Sequence, residues 1–270
     1  FTHGQLDPFF GSDFFKSFKK KIYWNFIEKK NLLKCKSILL TTNQEKILLK
    51  NTYVNTQNIK KKIIKYGIFK KNYNKLILKR NFYKKFPYLK KKKFLLYLGR
   101  FHEKKGCDIL IKSIAFLKKK EIDLNILLAG PDSKEKLHYK KISKKLGLNK
   151  NIFWSDAIYG DVKFGAILAS EGMVLPSHGE NFGVALVESL SMSKPVITTF
   201  KVNIFKQIIK HNAGIISNDN FKDFSNALIY FNSFTKFKKN VLSKNAFNCF
   251  NKNFNLKVKD EKTLKLFKQN

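Results

Sequence analysis

The stretch that decides the fold runs from residue 172 to residue 188 and reads Gly-Met-Val-Leu-Pro-Ser-His-Gly-Glu-Asn-Phe-Gly-Val-Ala-Leu-Val-Glu. Its first part is a short apolar run that ends in Pro-Ser. Apolar residues at successive positions are typical of a strand that is buried on both faces of a parallel sheet. Gly183 then opens an amphipathic stretch. We therefore predict a strand, a loop that carries Glu180, and a helix that carries Glu188 about a turn and a half after its start.

The same succession of short apolar runs and longer helical patterns extends over residues 94–232. The predicted strands are 94–99, 125–130, 151–154, 172–177, 195–199 and 214–217, and the predicted helices are 106–119, 133–147, 160–170, 183–193, 203–211 and 220–231. Such alternation predicts an α/β fold with a Rossmann-like, doubly wound parallel sheet. Ligands of these sheets bind at the carboxyl ends of the strands, where loops lead into helices.

The first 90 residues show fewer elements. The expected strands are 1–3, 37–42 and 62–68, and the expected helices are 13–34 and 43–51. Three strands make a poor sheet on their own, so we interpret 1–90 as a partial N-terminal domain and 91–235 as the ligand-binding domain. Residues 236–270 are predicted to be a helical tail, without a following strand, that packs back toward the N-terminal domain. The chain opens on Phe1 rather than Met, so we expect the start of the protein to precede it.

Composition narrows the class of protein. The 270 residues are 43% hydrophobic and 14% aromatic, which is enough for a packed core and excludes a disordered chain. No apolar run approaches the length of a transmembrane helix. Three scattered cysteines, Cys35, Cys107 and Cys249, are too few for a disulfide framework or a zinc site. A cytoplasmic location fits these features.

The net charge of +36 suggests a nucleic-acid-binding protein at first sight. However, only two of the 55 basic residues, Arg80 and Arg100, are arginines. Arginine is the better residue for bidentate recognition of phosphate and guanine. The abundance of Lys, Asn, Ile and Phe is what AT-rich coding produces, so nucleic-acid binding is the less favoured alternative. A cationic surface still attracts anionic ligands and lipid head groups.

One of the two arginines lies where a ligand is expected. A predicted strand ends at Gly99 and a helix begins near Gly106, so Arg100 and Lys105 occupy a loop at the carboxyl edge of the sheet. Two cations beside a helix N-terminus can bind a diphosphate. The alternative is that both are ordinary surface bases.

The second loop combines an anion site with carboxylates. The free amides of Phe182, Gly183 and Val184 would point out of the helix start and could bind phosphate. Glu180 and Glu188 beside them suit hydrogen bonds from sugar hydroxyls. The alternative is a solvated loop acid and an acid that stabilises the helix dipole.

Together these motifs resemble the donor-binding domain of retaining family-4 glycosyltransferases, which have two facing Rossmann-like domains in the GT-B fold. Residues 99–106 resemble the Gly-Arg-x(4)-Lys-Gly signature of this family, and Glu180 and Glu188 resemble its Glu-x(7)-Glu motif. Ala129-Gly130-Pro131 and Pro195-Val196-Ile197 resemble strand ends of the same domain. The resemblance is strong over residues 94–232.

The resemblance implies roles for these residues. Gly99, Arg100 and Lys105 would hold the diphosphate of a nucleotide sugar, Glu188 its ribose, and Glu180 the transferred sugar in an oxocarbenium-like transition state. The acceptor would be a polysaccharide, a lipid-linked glycan or another glycoconjugate. The nucleotide sugar is a substrate, and neither a cofactor nor a metal is implied.

The front segment resembles the acceptor-side domain of the family more weakly. His3, in Thr2-His3-Gly4-Gln5-Leu6-Asp7-Pro8, would approach the donor sugar as a second catalytic residue, unless it is an exposed terminal histidine. The first part of that domain would then lie ahead of residue 1. A non-catalytic remnant that only binds sugar nucleotides is therefore the alternative to an active transferase.

A basic aromatic segment at 14–27 has two interpretations. Its aromatic residues alternate with Lys16 and Lys19–Lys21, so one face could contact the inner surface of a membrane near a lipid-linked acceptor. The preferred interpretation is a stripe that faces the core while the lysines are solvated.

Overall fold

The computed structural model describes residues 29–51, 56, 58–64 and 66–256. The predicted strand at 1–3, His3, the basic aromatic segment at 14–27 and most of the predicted helix 13–34 lie outside these residues. The elements that precede the main sheet are α1 (Lys29–Lys34), β1 (Ile38–Leu40), α2 (Asn43–Leu48), β2 (Lys61–Ile63), β3 (Ile68–Phe69) and α3 (Lys75–Lys85).

The main sheet and its helices follow in alternation. They are β4 (Phe94–Leu98), α4 (Cys107–Lys119), β5 (Asn125–Ala129), α5 (Lys134–Lys145), β6 (Ile152–Ser155), α6 (Gly160–Ala169), β7 (Met173–Leu175), α7 (Val184–Ser191), β8 (Val196–Thr199), α8 (Phe205–Lys210), β9 (Gly214–Ser217), α9 (Phe221–Asn232), α10 (Lys236–Asn253) and β10 (Asn255–Leu256). The six predicted strands and six predicted helices of this region are all present, and each end lies within two residues of the predicted one.

The strand order in the main sheet is β6-β5-β4-β7-β8-β9, and every pair in it is parallel. The order reverses at β4, which pairs with β5 on one side and with β7 on the other. The α/β prediction with a Rossmann-like, doubly wound sheet is therefore confirmed. The loops after β4 and β7 leave the sheet at the reversal point, which is where ligands of such sheets bind.

The core explains why the strands could be read from the sequence. Phe94, Leu95, Leu96 and Tyr97 of β4 are all buried, as are the three residues of β7. Both faces of the sheet are therefore covered by helices, as a continuous apolar run predicts. Helix α4 packs against α9, and α3 packs against α6.

Helix α3 was not predicted. It begins after Asn74, whose side chain accepts hydrogen bonds from the next helical amides, and it buries Leu78 and Phe82. A β-carbon on Gly165 of α6 would lie 2.2 Å from the carbonyl oxygen of Leu78, so these two helices touch through their backbones. The buried face of α3 thus belongs to the main core. The domain boundaries at 90 and 235 stay predictions.

Two short parallel pairs lie outside the main sheet. Strands β1 and β2 form one pair, with Ile38, Leu40, Leu49 and Ile59 as its apolar centre. The predicted strand 62–68 is in fact split into β2 and β3, because the chain changes partners between them. Strand β3 pairs with β10, and the expectation that no strand follows the C-terminal helix was wrong.

No helix among the described residues is long and apolar enough to cross a membrane. The three cysteines are free thiols, and Cys107 and Cys249 are buried. Within the described part of the chain, no group of acidic, histidine and cysteine side chains could hold a metal ion.

One glycine lets the two central loops meet. Gly106 has a φ of +67°, and a β-carbon there would lie 1.8 Å from the carbonyl oxygen of Pro176. Gly160 has a similar φ of +52°, but nothing lies within 4 Å of its β-carbon position. An alanine at Gly160 would meet only the cost of the left-handed backbone. An alanine at Gly106 would meet that cost and also the steric clash with Pro176.

We predict that Gly160→Ala lowers the free energy of unfolding by about 1 kcal/mol, the cost of a left-handed alanine. Gly106→Ala should cost at least about 2 kcal/mol more, because a backbone carbonyl must also move. Urea unfolding of both variants measures the difference. Equal losses would contradict the close packing of the two loops.

Candidate active site

The basic loop, residues 99–106, is held at its base by β5 and by Tyr97. The amide of Gly99 donates to the carbonyl oxygen of Ala129 at 3.1 Å, and the hydroxyl of Tyr97 donates to the carbonyl oxygen of Arg100 at 3.0 Å. The side chain of Arg100 is exposed. Among the described residues no acid pairs with it, so its guanidinium is available to a ligand at the edge of the sheet.

The acidic loop, residues 176–183, is bonded directly to the basic loop. The carbonyl oxygen of Lys104 accepts from the hydroxyl of Ser177 at 2.6 Å and from the amide of His178 at 2.9 Å. The backbone of Glu180 is fixed from the other side, since its amide donates to Lys201 and its carbonyl oxygen accepts from Asn203. The position of Glu180 relative to the basic loop is thus set by backbone bonds.

Lys105 and Glu180 form an ion pair across the two loops. Their side chains are only 23% and 17% exposed, so the pair is screened from water more than an ordinary surface pair. The structure therefore brings together one predicted phosphate-binding cation and the predicted sugar-binding acid.

Glu188 also has a lysine partner, which the sequence did not reveal. The Nζ atom of Lys163 on α6 lies 2.6 Å from the Oε1 atom of Glu188 on α7, and the two side chains are 23% and 15% exposed. The residues are 25 positions apart, so no local pattern could have indicated the contact. Both glutamates of the motif are thus half-buried carboxylates, each neutralised by one lysine.

The start of helix α7 is the predicted anion site. Gly183 precedes it with a φ of +73°, and its carbonyl oxygen accepts from Leu186 and Val187. The earlier amides of a helix have no acceptor within it. The ring of Phe182 packs against Tyr66 and Phe254 at centroid distances of 4.6 and 5.6 Å. The ring of Phe182 is therefore held by packing, while Val184 at the helix start is 43% exposed.

His178 links the acidic loop to two further segments. Its Nδ1 atom lies 3.1 Å from Asp219 after β9, and its Nε2 atom lies 3.7 Å from the Oδ1 atom of Asp108 on α4. That oxygen is buried and has no hydrogen-bond partner in the described part of the chain. The carboxylate of Asp108, and after it that of Asp219, raises the pKa of His178 above 6.5, although burial opposes them. His178 in turn holds the pKa of Asp108 below 3.8.

The loop also touches the first part of the chain. Asn181 donates from its side chain to the hydroxyl of Thr41 at 3.3 Å and accepts from Asn203 at 3.2 Å. The same Thr41 donates to the buried carboxylate of Glu45 from its amide and its hydroxyl. Residues 41–45 therefore lie beside the acidic loop, and sequence reasoning did not identify them as site residues.

A buried lysine supports the neighbouring loops. Lys136 is fully buried and contacts Asp132 at 2.7 Å, Asp156 at 2.8 Å and the carbonyl oxygen of Gly130 at 3.2 Å. It joins the loop after β5 to the loop after β6. Nothing in the sequence distinguishes Lys136 from the exposed lysines of the same helix, so these contacts were not predicted.

The predicted site residues fall into three groups. Gly99, Arg100 and Lys105 share one loop, and Glu180 with the amides of 182–184 faces it. Glu188 lies on α7, paired with Lys163. His3 is outside the described residues, so its role stays a prediction.

The sheet order and these two loops define the class first. The fold is that of the Rossmann-like domains of GT-B glycosyltransferases, as solved structures show. Sucrose-phosphate synthase from Thermosynechococcus elongatus matches with a TM-score of 0.74 and 20% identity, over 90% of this chain and 60% of that chain. Alr3699/HepE from Anabaena, solved with UDP and glucose, matches with a TM-score of 0.70 and 14% identity, over 91% of this chain and 68% of that one.

The family follows from the sequence comparison. Residues 79–247 match the family model described as glycosyl transferases group 1. An uncharacterized glycosyltransferase of Methanocaldococcus jannaschii, MJ1178, is 32% identical over 187 residues, which are 67% of this chain and 47% of that protein. The chain therefore belongs to the group 1 glycosyl transferases, and it spans about half the length of this relative.

His178 gives a pH prediction. A histidine whose pKa is raised on folding stabilises the fold fully below its ordinary pKa of about 6.5, and the effect is lost as the pH rises through the raised value. We expect the free energy of unfolding to fall over this range, and His178→Gln to remove that part of the decline. The measurement is urea unfolding at a series of pH values.

The control is His138→Gln, since His138 is exposed on α5. The free energy of unfolding of the variant is subtracted from that of the parent at each pH, because His211 also changes stability with pH. Burial and nearby lysines lower the pKa of His211, so its contribution to stability rises with pH while that of His178 falls. Identical pH curves for the parent and His178→Gln would contradict the link between His178 and its two acids.

Proposed function

We propose that this chain carries the donor site of a retaining glycosyltransferase that uses a nucleotide-diphosphate sugar. The observation that carries the proposal is the contact between Lys105 and Glu180 across the two loops at the sheet edge. A cation and a carboxylate that lie side by side can interact with the phosphate and the sugar on either side of the bond that breaks. The cation stabilises the departing phosphate, and the acid stabilises the positive charge that develops on the sugar.

The diphosphate would bind between Arg100, Lys105 and the first amides of α7. The guanidinium of Arg100 is exposed and has no acidic partner among the residues that the structure describes, and the helix start adds partial positive charge. Lys105 would then be shared between Glu180 and a phosphate oxygen. Charge-assisted bonds in a half-buried cleft are stronger than those in water.

The ribose would bind at Glu188. Its Oε1 atom is taken by Lys163, which leaves Oε2 as an acceptor for a ribose hydroxyl. Lys163 fixes the rotamer of this carboxylate before any ligand arrives, and a fixed acceptor loses less entropy on binding. We assign Lys163 as a positioning residue for Glu188.

Transfer would proceed on one face of the sugar. As the bond from the anomeric carbon to the phosphate oxygen breaks, its electron pair stays with the diphosphate. A diphosphate oxygen takes the proton of the acceptor hydroxyl, and the hydroxyl oxygen attacks the anomeric carbon from the same side. The configuration is thereby retained, and no pair of carboxylates like that of the glycosidases is needed. The acceptor is a glycan or a lipid-linked glycoconjugate.

Support for the donor class comes from Alr3699/HepE, which shares this fold and was solved with UDP and glucose. A panel of nucleoside diphosphates in a thermal-shift assay identifies the base, because a bound ligand stabilises the fold by mass action.

Nucleotide binding tests the site residues. We expect Arg100→Ala and Glu188→Gln each to weaken the affinity for UDP or GDP by roughly ten- to a hundredfold, since each removes a charge-assisted hydrogen bond. Isothermal titration calorimetry at fixed salt measures the affinity. The matched control is Arg80→Ala, which removes the other arginine of the chain, exposed on α3. Unchanged affinity in both site variants, or equal losses in all three, would contradict the assignment.

Glu180 should separate binding from turnover. We expect Glu180→Gln to lower kcat by roughly a hundredfold, because the amide stabilises developing positive charge poorly. The affinity for the nucleoside diphosphate should change much less. Transfer is followed by proton NMR of the anomeric signal, which also reports whether the configuration is retained. An inverted product would overturn the proposed mechanism, and an unchanged kcat would overturn the role of Glu180.

A further inference from the structure

A second cleft lies beside the last strand of the sheet. It is bounded by β9, by α9 and by Phe200 in the loop after β8, and its volume is about 440 Å³. The side chains that could make specific contacts in it are Phe200, Asn218, Asp223, Asn226 and Tyr230. None of them was singled out by the sequence, and none takes part in the proposed donor site.

Two aromatic rings in this cleft are exposed but fixed. Phe200 is 43% exposed and Tyr230 is 54% exposed. Phe200 packs edge-on against Phe205 at a centroid distance of 5.4 Å, and Tyr230 packs edge-on against Phe234 at 4.6 Å. The Tyr230 hydroxyl also accepts from the Nζ atom of Lys238 at 3.2 Å. The same Nζ atom lies over one face of the Tyr230 ring, 4.7 Å from its centroid, so the ring offers its other face to a ligand. A ring that is already fixed loses little entropy on binding.

The polar groups of the cleft are prearranged as well. One oxygen of Asp223, Oδ2, accepts from the side-chain amides of Asn218 at 2.7 Å and Asn220 at 2.9 Å. These bonds hold the pKa of Asp223 below 3.8, so it is a carboxylate at neutral pH. Its Oδ1 atom has no hydrogen-bond donor in the described part of the chain. The exposed amide of Asn226 lies on the same wall.

This combination matches the surface of a sugar ring. A pyranose has apolar C–H faces, which fit against aromatic rings, and a rim of hydroxyl groups. A carboxylate accepts hydrogen bonds from hydroxyl groups, and a side-chain amide can accept from one hydroxyl group and donate to another. Among the described residues that line the cleft, the only charged one is the acid Asp223. The ammonium of Lys238 at the edge of the cleft is already bonded to the Tyr230 hydroxyl. The lining therefore has no net positive charge for a phosphate or an acidic sugar, and a neutral sugar is preferred.

We propose that the cleft binds a neutral sugar residue of a glycan, with Tyr230 and Phe200 against the ring face and Asp223 and Asn226 on the hydroxyls. It is a glycan-binding site separate from the donor site.

The position of the cleft beside the acidic loop indicates what a bound glycan would do. Phe200 lies between Thr199, whose hydroxyl donates to the carbonyl oxygen of Ser177 at 2.5 Å, and Lys201, whose carbonyl oxygen accepts from Glu180. Asn218 precedes Asp219, the partner of His178. The cleft thus adjoins the acidic loop, and it would hold an acceptor glycan near the donor. That use rests on the proposed function, whereas the binding of a sugar here does not.

The test is saturation-transfer NMR and calorimetry with three neutral tetrasaccharides: maltotetraose, cellotetraose and an α-1,6-linked mannotetraose. Measurements with and without saturating UDP separate this cleft from the donor site. We expect at least one of them to bind in both conditions. Tyr230→Ala and Asp223→Asn should each weaken that binding by roughly tenfold.

The matched control is Tyr88→Ala. Tyr88 is also half-exposed and packs on neighbouring phenylalanines, but it precedes β4 and so lies at the opposite end of the sheet. It should leave glycan binding unchanged. Thermal melting shows that each variant is folded.

Two results would overturn the proposal: no binding of any of the three glycans, or equal binding by the parent, Tyr230→Ala and Asp223→Asn. A chain that binds a glycan through Tyr230 but fails to bind any nucleoside diphosphate would retain this site and lose the proposed donor function. Loss of glycan binding on addition of UDP would place the sugar in the donor cleft and would also overturn the proposal.

Discussion

The backbone contact between the loops after β4 and β7 is the constraint on which the site depends. Gly106 lies against the carbonyl oxygen of Pro176, and the carbonyl oxygen of Lys104 accepts two hydrogen bonds from Ser177 and His178. These contacts fix the distance between the two loops. Lys105 and Glu180 are therefore held close together by the backbone as well as by their own ion pair. Parallel strand order brings the loops to one edge, and the glycine lets them touch.

The candidate site contains paired acids in a strongly basic chain. The whole chain carries a net charge of +36, yet Glu180 and Glu188 are two half-buried carboxylates, each paired with one lysine. A buried carboxylate requires a partner, and removal of that partner is costly. In the proposed function, an anionic ligand would compete for Lys105 and leave Glu180 to accept from hydroxyl groups. A substrate with phosphate at one end and sugar at the other would satisfy both groups at once.

Much of the fold could be predicted, because strands buried on both faces are read directly as apolar runs. Helix α3 was missed since its sequence, KLILKRNFYKK, shows only two buried positions among lysines. Strands β3 and β10 have two residues each, too few for a pattern. In the site, the loop motifs were visible, but Lys163 with Glu188 and His178 with its two acids are pairings between distant segments. Only the folded chain brings such residues together.

The most direct test of the account is a crystal structure of this chain with UDP. We expect the diphosphate within hydrogen-bond distance of Arg100 and Lys105, at the start of α7, and the ribose hydroxyls on Glu188. A nucleotide bound elsewhere on the molecule, with residues 99–106 and Glu188 untouched, would contradict it.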